Sequence, residues 1–304
     1  MLPVESIKVI CNVFNCQENE IKNIETLKKG MTNHSYTFQI NNKKYILRIP
    51  GEGTDQLINR KEEADAYNTI KGKNVCDELF YINPDNGMKI SAYINNSRCC
   101  DANNVSDLKK CMKKLRDFHN LKLKTNHEFN IYNKIDFYES LWTEKSIFKD
   151  YEQTKEKVLS LKKYIDFCKP EFCLTHIDAV PDNFLFSKTN GKEDIQLIDW
   201  EYAGMQDPHV DIAMFCIYSL YTEKKQIDRL IDIYFENKCT CQNRIKIYCY
   251  VALCGLLWSN WCEYKRQLGV EFGEYSLMQY RYAKDYYKIA TEEIKNLEKT
   301  IERD

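Results

Sequence analysis

The stretch LTHIDAVPDNFLF, Leu174 to Phe186, sets a histidine, two aspartates and an asparagine between two apolar runs. A turn alone needs only Pro181, Asp182 and Asn183. Asp178 lies five residues before Asn183, with His176 two residues before the aspartate. A carboxylate so placed can take a proton, and the amide oxygen further on can help hold a metal ion. Asp199 adds a third group, at the end of the apolar run in DIQLIDWE. An unpaired charge is costly to bury, so stability explains it poorly. NFLFS and DIQLIDW flank KTNGKE, whose Asn190-Gly191 is a strong hairpin signal. The hairpin returns the chain from Asn183 and brings Asp199 back towards Asp178. Two carboxylates and a carboxamide make a hard, oxygen-rich site, suited to magnesium rather than zinc.

The elements that must position these groups divide the chain unevenly. The first ninety or so residues are strand-rich with one helix. HSYTFQI and KYILRIP alternate or run apolar around NNKK, which predicts a hairpin ending in Pro50. TDQLINRKEEADAYNTIK reads as a helix capped by Thr54 or Asp55, with Ala64, Tyr67 and Ile70 at helical spacing. ELFYINPDNGMKISAYI predicts two short strands around Pro84-Asp85-Asn86-Gly87. From Asp107 the pattern turns helical. Leu108, Met112, Leu115 and Phe118 share one face, with Ser106 as the expected cap. Further helices include the Trp- and Tyr-rich segment from Arg244 to Tyr287, and a thin connection near Tyr93 to Asn96 joins the two parts.

Composition narrows the function classes. Apolar residues are 43% and aromatic residues 13%, enough to fill a sizeable core. Lys plus Arg is 44 against 45 Asp plus Glu, a balance that gives no argument for a nucleic-acid or anionic-membrane partner. The longest strongly apolar run, Ile247 to Trp258, is too short to span a bilayer, so no membrane insertion is expected. The 14 cysteines include no C-x-x-C pair, and Cys99 and Cys100 are adjacent. They fit small core residues in a reducing cytoplasm better than a disulfide framework. His34, His119, His127 and His209 show no metal spacing and read as structural.

HIDAVPDN followed by LIDWEYAG resembles the catalytic loop and metal-binding segment of the choline kinase and aminoglycoside phosphotransferase group. YILRIPGEGTDQLINRKEE, MKKLRDFHNL and DPHVDIAMFCIYSLY are similar to bacterial lic-type choline kinases in particular. The resemblance implies an α+β, bilobal protein-kinase-like fold. Residues 1–94 would form a small nucleotide-binding lobe, and residues 95–304 a larger, mainly helical catalytic and choline-binding lobe. It makes Asp178 the catalytic aspartate, His176 the structural histidine of the catalytic motif, and Asn183 and Asp199 the magnesium ligands. Ile177 replaces the arginine of the protein-kinase H-R-D pattern, a departure that argues against a protein substrate. Gly30, Thr32 and Asn33 in KGMTNHSY match the loop that covers the ATP phosphates. Arg48 stands for the strand lysine of protein kinases, Glu63 for its helix partner, and Asp211 for an aspartate that braces the catalytic loop.

The acceptor must carry a hydroxyl within reach of Asp178. Trp258 and Trp261 lie three residues apart on one helical face and match the two tryptophans that wall the choline pocket of choline kinases. A quaternary ammonium donates no strong hydrogen bond, so aromatic faces are its natural partners. Tyr218 and Tyr221 are further candidates for the cage, and Glu201, in the Asp-Trp-Glu segment, is a candidate substrate-binding carboxylate. An aminoglycoside pocket needs acidic residues for several ammonium groups, whereas this segment is aromatic first and acidic second. The expectation is an ATP- and magnesium-dependent choline kinase whose product, phosphocholine, would enter a CDP-choline route. Ethanolamine, another amino alcohol or an aminoglycoside as acceptor, and a nucleotide- or choline-binding pseudokinase, stay open, as does the oligomeric state.

Overall fold

The computed structural model describes residues 2–27, 33–51, 54, 56–189 and 191–302. In chain order the first elements are α1 (Val4–Phe14), β1 (Lys22–Leu27), β2 (Asn33–Ile40), β3 (Lys43–Pro50), α2 (Arg60–Ile70), β4 (Leu79–Ile82), β5 (Lys89–Ala92) and β6 (Arg98–Cys99). Then come α3 (Val105–Asn120), α4 (Ile131–Ser140), α5 (Tyr151–Ser160), α6 (Lys162–Phe167), β7 (Cys173–Thr175), β8 (Phe184–Thr189) and β9 (Lys192–Leu197). The last are β10 (Gly204–Gln206), α7 (His209–Tyr218), α8 (Lys224–Tyr234), α9 (Cys241–Gln267) and α10 (Glu274–Ile301). Two units result. One holds Met1–Cys99 with Asn183–Ala203, the other Cys100–Asp182 with Gly204–Asp304. The division therefore falls at Cys99 rather than near residue 94, and the β8–β9 hairpin packs with the first unit.

In the first unit five strands run antiparallel in the order β1-β2-β3-β5-β4. β2 and β3 turn at Asn41 and Asn42, both at positive φ, the pair of left-handed positions that a tight hairpin demands and asparagine tolerates. Phe38, Ile40, Tyr45, Leu47 and Ile90 form the buried face, closed by Leu2 and Ile10 at the chain's start. The sequence pattern predicts neither α1 nor β1. α2 also starts later than the pattern predicts: Asn59, not Thr54, caps that helix, taking the N–H groups of Lys61 and Glu62 on its side-chain oxygen. Asp55 lies outside the described residues. Between β4 and β5, Gly87 turns the chain at φ +70°, and a Cβ there would meet Arg60 Cδ at 2.4 Å. Only glycine fits.

The second unit is built on α9. Nearly every residue from Ile245 to Tyr264 is buried, because α10, α7 and α4 pack around it. Leu108, Met112, Leu115 and Phe118 of α3 are buried on one face as their spacing predicts, with the cap supplied by Asn104 rather than Ser106. All 14 cysteines are free, half of them buried. Among the described residues no helix is long and apolar enough to cross a membrane.

Candidate active site

In the first unit, Arg48 on β3 and Glu63 on α2 are almost wholly buried, at 4% and 0% exposure. The Arg48 guanidinium meets both Glu63 oxygens, Nη1 to Oε1 at 2.6 Å and Nη2 to Oε2 at 2.7 Å. A flat fork facing a flat carboxylate fixes both side chains. Arg48 Nη2 also donates to the Gly87 carbonyl at 3.0 Å, and its Nη1 lies 3.4 Å from Glu201 and 3.5 Å from Asp199. Burial alone would lower the Arg48 pKa, but Glu63, Glu201 and Asp199 reverse this and keep it protonated. Burial pushes the Glu63 carboxyl up, yet Arg48, Lys89 and Arg60 outweigh it and hold it down at about 2.

A second arginine was not anticipated. Arg60, in the first turn of α2, donates to Glu63 at 2.8 Å, to Glu201 at 3.1 Å and to Thr54 at 3.2 Å. Its only sequence signal was the unusual position of an arginine one turn before Glu63. Asn33 also donates to Glu201, at 3.1 Å. Glu201 thus sits buried beneath two arginines and an asparagine, a place that engages its carboxylate internally rather than offering it to an organic cation. Burial, followed by the nearby Asp199, raises its pKa against the pull of Arg48.

The β8–β9 hairpin pairs Phe184 with Leu197, and Ile198 N–H donates to the Asn183 carbonyl at 2.9 Å. Asn183 and Asp199 therefore occupy the same end of one hairpin, as the sequence predicts. Asp199 adopts φ +67°, a left-handed conformation, and its Oδ1 is buried without a hydrogen-bond partner among the described residues. A carboxylate oxygen with no hydrogen bond, only the Arg48 charge 3.5 Å away, at the same hairpin end as a carboxamide fits a magnesium ion, which keeps few protein ligands and fills the rest with water and phosphate. Gly30 and Thr32, expected at the phosphates with Asn33, lie outside the described residues.

The second unit carries the loop with His176 and Asp178. β7 leads into it and pairs with β10. Ile177 is held at φ +68°, a costly conformation for a β-branched residue. Asp211, wholly buried near the start of α7, pins it there by accepting Ile177 N–H at 2.7 Å and His176 N–H at 3.0 Å. His119 Nε2 lies 2.9 Å from the same carboxylate, and its Nδ1 lies 2.8 Å from the Tyr234 hydroxyl. A carboxylate only accepts, so Nε2 carries a proton and the ring passes rigidity from α8 to the loop. The bracing role of Asp211 was legible in the sequence, but His119, read there as merely structural, belongs to the same brace. His176 is fully buried, which suits a positioning role.

Trp258 and Trp261 are 8% and 4% exposed, and their rings meet edge to face at 5.6 Å. The row of rings continues through two residues that sequence reasoning missed. Phe272 lies 5.0 Å from Trp261, Tyr275 6.4 Å from Phe272, and Tyr218 6.1 Å from Tyr275. Burial raises the Tyr275 phenol's pKa, with Cys262 and Asp178 adding to the rise. Tyr218 also donates to Asp182 at 2.8 Å. Tyr221 is not in the row: it is buried with its hydroxyl given to the Ala102 carbonyl. The signal for Phe272 and Tyr275 was the aromatic EFGEY segment just after the tryptophan helix.

A strand unit with a buried Arg–Glu pair and a helical unit with a braced aspartate loop make a kinase-like fold. The chain belongs to the choline/ethanolamine kinase family: the profile described as Choline/ethanolamine kinase matches residues 24–253. It is a phosphotransferase of that family. Protein LicA of Haemophilus influenzae is 30% identical over 262 residues, covering 81% of this chain and 95% of LicA. The crystal structure of choline kinase LicA from Streptococcus pneumoniae superposes with a TM-score of 0.79 at 29% identity, covering 93% of this chain and 99% of that one. LicA in complex with AMP matches at the same TM-score and identity, covering 94% and 98%.

Proposed function

We propose that this protein is a choline kinase that transfers the γ-phosphoryl group of ATP to the choline hydroxyl, giving phosphocholine and ADP. The observation that carries the choice of acceptor is the row of rings from Trp258 to Tyr218, whose last hydroxyl is bonded to Asp182 in the loop that carries Asp178. A quaternary ammonium needs π faces and cannot use hydrogen-bond acceptors. Similarity to the choline kinase LicA from Streptococcus pneumoniae supports the same reading.

Asp178 accepts the hydroxyl proton as the choline oxygen attacks phosphorus and the bond to the ADP oxygen breaks. Asp211 and His119 hold the loop so that Asp178 needs no reorganisation at that moment. Arg48, kept charged and rigid by Glu63, steadies the ATP phosphates, and Arg60 holds Glu63 and Glu201 in place around it. Asn183 and Asp199 would hold magnesium, which supplies neutralisation of charge on the phosphates. The free cysteines fit a reducing compartment.

The test is Asp178→Asn, which keeps shape and removes the proton acceptor. kcat should fall roughly 10²-fold or more with little change in the KM for ATP. A folded variant with normal kcat and only a raised choline KM would make Asp178 a binding residue and remove the mechanism.

A further inference from the structure

Trp261 is already in use on several sides. Trp258 and Phe272 pack against its ring, and its indole N–H is buried with no hydrogen-bond partner among the described residues. One helical turn further along α9, Lys265 places its ammonium over that ring, 5.6 Å from the centroid. No carboxylate stands within ion-pair distance of Lys265 among the described residues, and burial alone accounts for the fall in its pKa. This is unusual for a half-buried lysine. An ammonium with no counter-ion, resting on an aromatic face, makes the same contact that a substrate cation would make in this wall.

Resting on the reading of the aromatic row as the acceptor's cation site, we propose that Lys265 is a specificity-determining residue, a tethered cation that shares the Trp261 π face with the acceptor's ammonium. A cationic acceptor must displace Lys265 or sit beside it, and in a wall of low polarity either course costs affinity. A neutral acceptor of the same shape meets no such opposition. Lys265 therefore sets how strongly the site favours a cation over its uncharged counterpart, and holds that preference below what the rings alone would give.

The test compares choline with 3,3-dimethylbutan-1-ol, its uncharged carbon isostere, as acceptors for the full chain. Lys265→Met keeps the aliphatic stem and removes the charge. It should lower the choline KM roughly two- to five-fold, the range of one cation–π contact, with kcat and the isostere KM steady. Lys265→Arg retains a cation and should stay close to wild type. An unchanged choline KM in Lys265→Met, or equal changes for both acceptors, overturns the proposal, since Lys265 would then be packing only. Trp261→Leu in the same assay separates the two layers of the argument. If it raises the choline KM selectively while Lys265→Met does nothing, the aromatic site stands and the role of Lys265 falls. If neither variant moves the choline KM, the aromatic site itself falls.

Discussion

Replacing Asp211 by asparagine tests whether a brace behind the loop sustains turnover. The wild-type carboxylate accepts Ile177 N–H at 2.7 Å, His176 N–H at 3.0 Å and the His119 ring at 2.9 Å, all without solvent. The amide keeps one oxygen and turns an NH2 group towards donors it cannot satisfy. Hydrogen bonds to a charged group contribute about 1.5–3 kcal/mol each, and a buried orphan costs about 1–3 kcal/mol. Because one acceptor oxygen survives, the net destabilisation should be roughly 2–4 kcal/mol, well short of the summed contacts. The consequence for turnover follows from Ile177. Its φ of +68° carries strain of about 1–3 kcal/mol, which the hydrogen bond that Ile177 N–H donates to Asp211 Oδ1 restrains. Once that bond is lost the loop relaxes and Asp178 moves, and a shift of about 1 Å can cost on the order of 10²-fold in rate. ADP release should show a kcat loss of that size with the KM for ATP nearly unchanged, alongside a lower Tm. A variant with the lowered Tm but wild-type kcat would refute the link between brace and catalysis.

Two further predictions concern stability. Glu63 is held at about 2, below the ordinary carboxylate range, so its stabilising share is complete above its unfolded value of about 4.3 and drains away as pH falls towards 2. Urea midpoints should therefore drop between about pH 4 and 2, less steeply in Glu63→Gln; equal slopes would show that Glu63 carries none of the acid sensitivity. At the crossing of α9 and α10, a Cβ on Gly255 would meet the Gln279 carbonyl at 2.7 Å and Ala283 N at 2.8 Å. Gly255→Ala should cost about 1–3 kcal/mol by thermal or urea unfolding, and an unchanged midpoint would mean the helices part without cost.

Sequence patterns revealed those parts of the fold whose signal is local. The Asn41-Asn42 turn, the β8–β9 hairpin and the buried face of α3 each follow from a few neighbouring residues, and the structure places all three as expected. Asn183 and Asp199 could be brought together on paper because one hairpin joins them. Helix starts were less legible, since Thr54, Asn59, Asn104 and Ser106 all have capping side chains and only the fold selects among them. Arg60 and His119 were missed for a related reason. Their roles come from partners far along the chain, Glu201 and Asp211, and no periodicity encodes such pairs. Glu201 is a substrate-binding candidate in sequence and becomes a buried partner of two arginines only in three dimensions. Tyr218 and Tyr221 show the limit of spacing: three residues apart on paper, they end with different partners.

On the proposed reading, the aromatic row selects a quaternary ammonium alcohol for phosphorylation. ADP release measured side by side with choline, ethanolamine and an aminoglycoside panel, at fixed ATP and magnesium, tests it most directly. Choline should give the highest kcat/KM, ethanolamine a lower one because its hydrated ammonium gains less from π faces, and aminoglycosides no acceptor-dependent release. A higher kcat/KM with ethanolamine or an aminoglycoside, or no acceptor-dependent release with choline, would contradict it.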